Sequence, residues 1–432
     1  MTLDPAFLVF GLFLLLVVVG IRIAIALGAT ACLIILLYHQ GAMGISSIFY
    51  SNMAKFPLLA IPYFILAGFV MERSGVSARL VNLASLIVGP IPGGLAIVGV
   101  AVCVFFGGIS GSGPADAAAI GAVLIPAMIE RGYDRNFAAG LIATAGATAI
   151  LIPPSIAFVV YGVITEISVP ALFAGGIFPG LVAGAALIVP AYLISKKRGW
   201  GGERWGTPRE LWIAFRRAFW GLMAPAVILG SMYGGICTPT EAAIIAVVYG
   251  VVLGWLYRTI GWSDLYGCMR DAAVTSAVVM FIVAFAGLFG WAADRVGAID
   301  HVLKSLLSLT NNGLVMLFLV NGVLFIAGML LDAISIFYVF LPIFIPMMSH
   351  FGWDPLWFGV VMTYNLAIGQ ATPPVAVNLY VTTALAKSKL DQVAVAVVPF
   401  VVAMAGGLVV VILWQWLSLA PPIWFGLYKL GQ

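Results

Sequence analysis

Charged side chains are scarce in this sequence. Asp, Glu, Lys and Arg make up 8% of its 432 residues, whereas hydrophobic residues make up 63%. A soluble domain of this composition would expose far more apolar surface than water tolerates, so a soluble enzyme or binding module is excluded. Apolar runs recur along the whole chain, and at roughly 20 residues per crossing we expect about ten to fourteen membrane segments. The composition predicts an all-α polytopic membrane protein surrounded by the lipid bilayer.

Histidine and cysteine are also scarce, with three and four copies. Residues 108–111 resemble the Gly-x-Ser-Gly of intramembrane serine proteases, but a serine nucleophile needs a base such as histidine within hydrogen-bond reach. Because no histidine lies inside a predicted membrane segment, we expect no enzymatic activity. The charged residues lie in loops, and we expect no nucleic-acid partner. We interpret the four cysteines, which lack Cys-x-x-Cys spacing, as free thiols that fill apolar space.

Glycine, by contrast, is concentrated inside one apolar segment. Four glycines fall within seven residues, at positions 107, 108, 111 and 113, and each costs a helix about 1 kcal/mol relative to alanine. Pro114 then lacks a backbone donor and favours the first turn of a new helix. Broken backbone at membrane depth is tolerated only where protein or a water-filled cavity satisfies its polar groups. We therefore predict that residues 107–116 form the tip of a re-entrant helical hairpin.

A second interruption lies at residues 150–155, inside an apolar segment that spans residues 137–160. Pro153 and Pro154 remove two backbone donors and disfavour helix at the residue before them. In transporters, such breaks form the sites for ions and substrates. The pattern predicts a broken helix that faces the glycine-rich tip.

A basic linker occupies residues 196–219. Seven Lys and Arg fall within 22 residues, against two acidic residues, Glu203 and Glu210. By the positive-inside rule this linker is expected to be cytoplasmic. Thr207-Pro208-Arg209-Glu210 reads as a capping box with proline at the first helical position. The following run, residues 211–220, is rich in Trp and Arg and suits a helix lying at the membrane interface.

The second half of the sequence echoes the first at an offset near 220 residues. The matches include Pro153-Pro154 with Pro373-Pro374, and residues 105–108 with 325–328. They predict two structural repeats, residues 1–195 and 220–432, with a second hairpin tip near residues 327–335 and a second broken helix near residues 369–374. If each repeat crosses the membrane an odd number of times, the two have opposite orientations. That inversion depends on a cytoplasmic linker and a periplasmic N-terminus.

The two hairpin tips and the two broken helices predict what the protein binds. Unwound carbonyls and Ser or Thr hydroxyls are hard oxygen ligands suited to Na⁺, and the N-termini of half-helices attract an anion. We therefore predict Na⁺-coupled uptake of an organic anion. The expected Na⁺ ligands are Ser110, Ser112, Thr148, Pro153, Asp332, Ser335, Gln370, Thr372 and Pro373. The expected substrate-binding residues are Ser110, Gly111, Ser112, Asp116, Ser155 and Asn378.

Several of these residues also have a purely structural interpretation. Asp116 lies in the first turn of a predicted helix, where an acid complements the helix dipole. Asp332 has the position of a plain N-cap. The sequence Thr238-Pro239-Thr240-Glu241 reads as a second capping box. The pairs Glu72-Arg73 and Asp294-Arg295 suit segment ends at the membrane interface. The sequence leaves both interpretations of the two aspartates open.

Together, these motifs resemble the large membrane subunit of the tripartite ATP-independent periplasmic (TRAP) transporters. The resemblance covers nearly the full length and is carried by residues 107–112, 115–116, 152–155, 234–242 and 370–374. It implies an inverted-repeat, elevator-type transporter with two re-entrant hairpins. It also implies coupling to Na⁺ rather than ATP, and carboxylate cargo such as C4-dicarboxylates or sialic acids.

The resemblance implies partners as well. They are a small integral membrane subunit (Q type), carried on a separate polypeptide, and a soluble periplasmic substrate-binding protein (P type). The location implied is the inner membrane of a bacterium, with several crossings. A Na⁺/dicarboxylate symporter that needs no binding protein would use re-entrant hairpins in the same way, and it remains the alternative. A passive channel is disfavoured because the sequence lacks rings of pore-lining charge.

Overall fold

The computed structural model describes residues 4–41, 43–201 and 205–430. Within those ranges the chain is helical, and its β-structure is limited to one isolated bridge between Pro92 and Gly201. The all-α expectation is therefore confirmed. Glu203 and Arg204 of the basic linker lie outside the described residues.

The described residues of the first half form ten α-helices. A 3-10 turn, Phe56–Leu59, leads into α4, and a second 3-10 turn, Thr148–Ile150, follows α8. The helices are α1 Pro5–Val18, α2 Ile23–Leu37, α3 Met43–Met53, α4 Ala60–Arg73, α5 Val76–Val88, α6 Gly94–Ser110, α7 Gly113–Glu130, α8 Arg135–Ala147, α9 Ile156–Thr165 and α10 Val169–Arg198.

Ten more lie in the described part of the second half, and the order of elements from α4 to α10 recurs from α13 to α19. They are α11 Pro208–Tyr233, α12 Pro239–Leu256, α13 Trp262–Arg295, α14 Ala298–Leu307, α15 Gly313–Leu330, α16 Ala333–Phe351, α17 Pro355–Gln370, α18 Val377–Ala386, α19 Leu390–Leu413 and α20 Trp416–Trp424.

Matched positions adopt matched backbone conformations. Gly75 and Gly297 are the N-cap residues of α5 and α14. Each has a φ of 71°, a left-handed value that favours glycine. Both Pro-Pro bonds, Pro153-Pro154 and Pro373-Pro374, are cis. The repeated sequence pattern therefore corresponds to a repeated order of helices and turns.

Eight helices of the described residues are long and apolar enough to cross a membrane, by length and composition. This is fewer than the ten to fourteen crossings expected. The difference lies in shorter apolar helices such as α6, α9, α15 and α18, which have 10 to 18 residues. The sequence estimate came from total apolar length at roughly 20 residues per crossing, so the residues of these shorter helices added to it.

The matched helices α4 and α13 run in opposite directions. Arg73, the last residue of α4, donates to the Asp264 carbonyl at 3.3 Å and pairs with the Asp271 carboxylate at 3.1 Å. Both partners lie near the start of α13. In addition, α12 packs on α4, and α2 packs on α13. Each half therefore contributes a helix that packs on α4 or α13 of the other half.

Both capping boxes are present. At the start of α11, the Thr207 hydroxyl accepts from the Glu210 amide at 3.3 Å, and the Glu210 carboxylate accepts from the Thr207 amide at 2.8 Å. Thr238 and Glu241 repeat the arrangement at the start of α12. Each box satisfies backbone donors that a helix start leaves unpaired.

The expected interfacial helix over residues 211–220 is not a separate element. Those residues are the first part of α11, which continues to Tyr233 and is one of the eight candidate membrane spans. The prediction stopped too early because the run of Trp and Arg ends at Trp220, while helix-forming apolar residues continue. Nearby, the Gly93 amide donates to the Trp200 carbonyl at 2.8 Å, which fixes the linker against the start of α6.

Candidate functional site

The first hairpin tip is narrower than predicted. Helix α6 continues through Gly107 and Gly108 to Ser110, and only Gly111 and Ser112 separate it from α7. A Cβ at Gly107 would lie 2.7 Å from the Ala149 Cα. The first two glycines therefore allow α6 to pack closely against the broken helix, instead of ending α6.

Gly111 is the residue at which α6 ends. Its φ is +60°, and its amide donates to the Gly107 carbonyl at 3.1 Å. A Cβ there would approach the Pro154 carbonyl oxygen to 2.5 Å. Both the backbone conformation and the contact with the broken helix therefore require glycine.

The second tip consists of Leu331 and Asp332, between α15 and α16. Asp332 is the N-cap of α16: its carboxylate accepts from the Ile334 amide at 3.0 Å and from the Ser335 amide at 3.2 Å. The Ser335 hydroxyl donates to the same carboxylate at 2.5 Å. The N-cap interpretation is confirmed. Asp332 also lines a cavity described below, so the structural and the binding interpretations are compatible.

Two broken helices face these tips. In the first half, Ser155 caps α9 by accepting from the Phe158 amide at 3.5 Å, and its hydroxyl donates to the Ile150 carbonyl at 2.5 Å. In the second half, the Thr372 hydroxyl donates to the Ile368 carbonyl at 2.7 Å. The break predicted at residues 150–155 is confirmed, and the second break extends from Ala371 to Ala376.

Each tip touches the broken helix of its own half through small residues. In the first half the contact is Gly107 against Ala149, and in the second it is Gly328 against Gly369. A Cβ at Gly369 would lie 2.6 Å from the Gly328 carbonyl carbon. Small residues allow this close approach of backbones in membrane proteins. The same contact therefore anchors both hairpins.

The Asp116 carboxylate is fully buried behind the first tip. The Ser110 hydroxyl donates to its Oδ1 atom, and the Ser112 amide donates to the Ser110 hydroxyl at 3.2 Å. Asp116 thus fixes the Ser110 side chain at the point where α6 ends. Its second oxygen, Oδ2, is buried with no hydrogen-bond partner among the described residues.

Two further buried oxygens without a partner lie near the start of α7. They are Gln370 Oε1 and Asn378 Oδ1, both from the second half of the chain. A Cβ at Gly113 would lie 2.9 Å from Gln370 Oε1 and 3.1 Å from Asn378 Nδ2, and that Nδ2 donates to the Ala143 carbonyl at 3.1 Å. Buried oxygens without donors are costly unless a proton, a water or a cation pairs with them.

A cavity of about 410 Å³ separates the two tips from α4 and α13. Its polar side chains are Ser110, Ser112, Thr275, Asp332 and Gln370. The N-terminal residues of α7, α9 and α16 also line it. Of the predicted site residues, Ser110, Gly111, Ser112, Asp332 and Gln370 line this cavity.

Three predicted substrate residues do not line that cavity: Asp116, Ser155 and Asn378. Each is fully buried, because each packs behind a tip or a break and orients the backbone there. Contact between these three side chains and a substrate therefore stays a prediction. Thr148, Pro153, Ser335, Thr372 and Pro373 also lie at the breaks or at the start of α16, outside the cavity wall.

Sequence reasoning missed a pair of buried asparagines. Asn365 Nδ2, on α17, donates to Asn321 Oδ1 at 2.8 Å and to the Asn321 carbonyl at 2.9 Å, on α15. The two residues are 2% and 6% exposed. The signal was available, because a strongly polar residue inside an apolar membrane segment is uncommon and often functional. Sequence reasoning also missed Thr275, a polar residue on the cavity wall.

Comparison with known proteins agrees with this architecture. A family described as "Tripartite ATP-independent periplasmic transporter, DctM component" matches residues 10–417. The chain is 42% identical over 413 residues to an isethionate TRAP transporter permease protein DctMQ of Oleidesulfovibrio alaskensis, and it covers 65% of that relative's length, with 94% of its own residues aligned.

Two other relatives match over most of their length. The C4-dicarboxylate TRAP transporter large permease protein DctM of Rhodobacter capsulatus is 34% identical over 438 residues, covering 98% of this chain and 100% of the relative. The 2,3-diketo-L-gulonate TRAP transporter large permease protein YiaN of Escherichia coli is 36% identical over 372 residues, covering 86% of this chain and 87% of the relative.

Among solved structures, the YdaH transporter of Alcanivorax borkumensis superposes with a TM-score of 0.65 at 15% identity, covering 95% of this chain and 98% of that one. At this identity the likeness concerns the fold alone. The family match and the relatives, by contrast, cover nearly the whole sequence. The resemblance found in the motifs is therefore confirmed: this chain belongs to the DctM family, the large multi-pass membrane subunit of TRAP transporters.

Proposed function

We propose that this chain is the transporting subunit of a Na⁺-coupled symporter for small organic anions. One observation carries the proposal. Helix N-termini and hairpin tips surround a cavity, and three buried oxygens without donors, on Asp116, Gln370 and Asn378, lie near the start of α7. Helix N-termini favour anions, and buried hard oxygens favour a cation such as Na⁺. The two kinds of site are adjacent, so binding of cation and anion can reinforce each other.

The Na⁺ that is carried is assigned to the region around the start of α7 and the two breaks. Asp116, Gln370 and Asn378 contribute oxygens that lack donors, and Ser110 touches Asp116. The remaining predicted ligands, at the breaks and at the start of α16, stay in the proposal. Asn378 moves from the substrate to the cation side, because its amide is buried away from the cavity.

The mechanism proposed is an elevator. The hairpins and the broken helices pack on one another, with α7 on α8, α15 on α17, and α18 on both α7 and α8. We propose that these elements move as one transport unit against a scaffold that includes the α4–α12 and α2–α13 pairs. The opposite directions of α4 and α13 support an inverted repeat. The proposed repeats are residues 1–195 and 220–432, with the linker helix already starting at Pro208.

The relatives support the class of cargo. Their names give isethionate, C4-dicarboxylate and 2,3-diketo-L-gulonate as substrates, which are all small organic anions. We propose a soluble periplasmic substrate-binding protein and a small membrane subunit as partners, in the inner membrane of a bacterium. This chain covers 65% of the length of the isethionate relative. The activity of that longer protein is therefore only a proposal for this chain.

Uptake into liposomes tests the function. The purified membrane complex is reconstituted, and uptake of labelled anions is measured with a Na⁺ gradient and with K⁺ in its place, each with and without the binding protein. We expect uptake only with both the Na⁺ gradient and the binding protein. Uptake that needs Na⁺ but no binding protein favours the independent symporter. Uptake that is unchanged in K⁺ contradicts Na⁺ coupling.

A further inference from the structure

The charge that the cavity can compensate is limited. The N-terminal residues of α7 and α9, Gly113 to Ala115 and Ile156 to Ala157, line the cavity. Each helix N-terminus acts as roughly half a positive charge. Asp116, in the first turn of α7, accepts from the Ser110 hydroxyl, and in the proposed function the bound Na⁺ balances its charge. The two helix starts together then offset about one negative charge on a bound molecule.

The third helix start at the cavity is already neutralised. Asp332 accepts from the Ile334 and Ser335 amides at the start of α16, so the dipole of that helix is paired with a carboxylate of the protein. The Na⁺ carried in the proposed function also has protein carboxylates beside it, namely Asp116 and Asp332. Neither feature adds a second positive site for the substrate.

The side of the cavity that α4 and α13 contribute is mostly apolar, and the Thr275 hydroxyl on it already donates to the Asp271 carbonyl at 2.9 Å. Ile65 and Phe69 of α4, and Val278, Val279 and Ile282 of α13, form the side contributed by the two antiparallel helices. A second carboxylate against these side chains would lose its hydration without gaining a donor. An alkyl or aryl group there would instead bury apolar surface.

We propose that the substrate carries one anionic group, a carboxylate or a sulfonate, on a compact apolar body. The anionic group binds at the starts of α7 and α9 with the hydroxyl of Ser112, and the apolar body contacts α4 and α13. A cavity of about 410 Å³ is in the usual range for a small ligand. This inference rests on the proposed function, and it separates monoanions from the dicarboxylates that some relatives are named for.

A matched pair of ligands tests the inference. Pentanoate and glutarate both have five carbons, and glutarate replaces the terminal methyl group by a second carboxylate. Binding of each to the purified membrane complex in nanodiscs is measured by isothermal titration in Na⁺ and in K⁺. We expect pentanoate and pentanesulfonate to bind at least about tenfold more tightly than glutarate, because the apolar wall leaves a second charge unpaired.

Equal or tighter binding of glutarate overturns the inference, and so does undetectable binding of pentanoate. The Na⁺ arm separates this result from the proposed function. If glutarate binds best but only in Na⁺, the inference fails and the coupling stands. If pentanoate is preferred equally in Na⁺ and K⁺, the coupling fails and the substrate class stands.

Variants on α13 locate the contact. Val279→Thr introduces a hydroxyl into the apolar wall and should weaken pentanoate binding several-fold, with little change for glutarate. Val279→Arg should narrow the preference for pentanoate over glutarate, because it supplies a partner for the second carboxylate. Val274→Thr, on the same helix but outside the cavity and 61% exposed, is the control and should leave both affinities unchanged. A preference unaltered in both Val279 variants contradicts the assigned wall.

Discussion

At the scale of single residues, the tip glycines have different reasons for being glycine. Gly107 permits a close helix contact, whereas Gly111 also has a left-handed φ of +60°. The chain offers a matched control position for Gly111. Gly132 has a φ of +82°, and no atom lies within 4 Å of a Cβ added there. The two positions share the conformational strain that a side chain would cause, and only Gly111 lies against the broken helix.

Gly111→Leu should therefore abolish uptake while the protein still inserts in the membrane. A side chain there overlaps the Pro154 carbonyl, which would lie 2.5 Å from its Cβ. Gly132→Leu carries only the strain of a left-handed side chain, of roughly 1–2 kcal/mol, and should retain uptake. Uptake and the amount of membrane-inserted protein are measured for both. Normal uptake by the Gly111 variant would remove the tip from the site.

The Asn321–Asn365 pair permits a second residue-scale prediction. Asn321→Ala and Asn365→Ala should each lower stability by roughly 0.6–2 kcal/mol, the range for interhelical hydrogen bonds in membrane proteins and model peptides. The double variant should cost less than the sum, because each single change leaves a buried amide unpaired. Thermal unfolding in detergent measures all three. Strictly additive effects would show that the two amides are not coupled.

At the scale of elements, both halves use the same device: a hairpin tip packed on a broken helix through small residues. The breaks leave hydroxyls and carbonyls outside regular helical bonding. Thr372 lies at such a break, while Thr363 lies within α17, and the two hydroxyls make the same kind of bond. Thr372 donates to the Ile368 carbonyl at 2.7 Å, and Thr363 donates to the Gly359 carbonyl at 2.7 Å.

Thr372→Val should raise the Na⁺ concentration needed for half-maximal uptake, because it removes an oxygen at the break. Thr363→Val loses the same local hydrogen bond within a regular helix and should leave that concentration unchanged. Uptake is measured across a series of Na⁺ concentrations at constant ionic strength. An unaltered Na⁺ response in the Thr372 variant would remove Thr372 from the ligand set, and equal shifts in both variants would indicate a general loss of stability.

At the scale of the whole molecule, neither half forms the site alone. The start of α7, from the first half, meets Gln370 and Asn378 of the second half. Helix α4 contacts the first tip directly, since a Cβ at Gly68 would lie 3.6 Å from the Ser110 Cβ. In an elevator, α4 belongs to the scaffold and Ser110 to the transport unit. This contact is therefore expected to break during transport.

Cysteines at positions 68 and 110 test that motion. The separation suits a disulfide, for which Cβ atoms lie roughly 3.5–4.5 Å apart. The four native cysteines are first replaced, and disulfide formation by Gly68→Cys/Ser110→Cys is then followed on gels. We expect the cross-linked fraction to change when Na⁺ and substrate are added. Complete cross-linking under every condition would show that α4 and the tip move as one body.

The sequence by itself determined the features that depend on local chemistry. Apolar length predicted membrane helices, the missing donors of Pro153 and Pro154 predicted a broken helix, and the residues after Thr207 predicted a capped helix start. The offset near 220 predicted the repeated order of elements. Each of these follows from properties of neighbouring residues, so no distant contact was needed to find them.

Only the tertiary structure decided the rest. Gly107 and Gly108 stay helical because Ala149 packs against Gly107, and Ile152 and Pro153 pack against Gly108, which outweighs their low helix propensity. Asp116, Ser155 and Asn378 are turned away from the cavity because neighbouring helices bury them. The apolar wall on α4 and α13, and the meeting of α7 with Gln370 and Asn378, join residues that are far apart in sequence. Such contacts depend on how helices pack, which a local pattern does not specify.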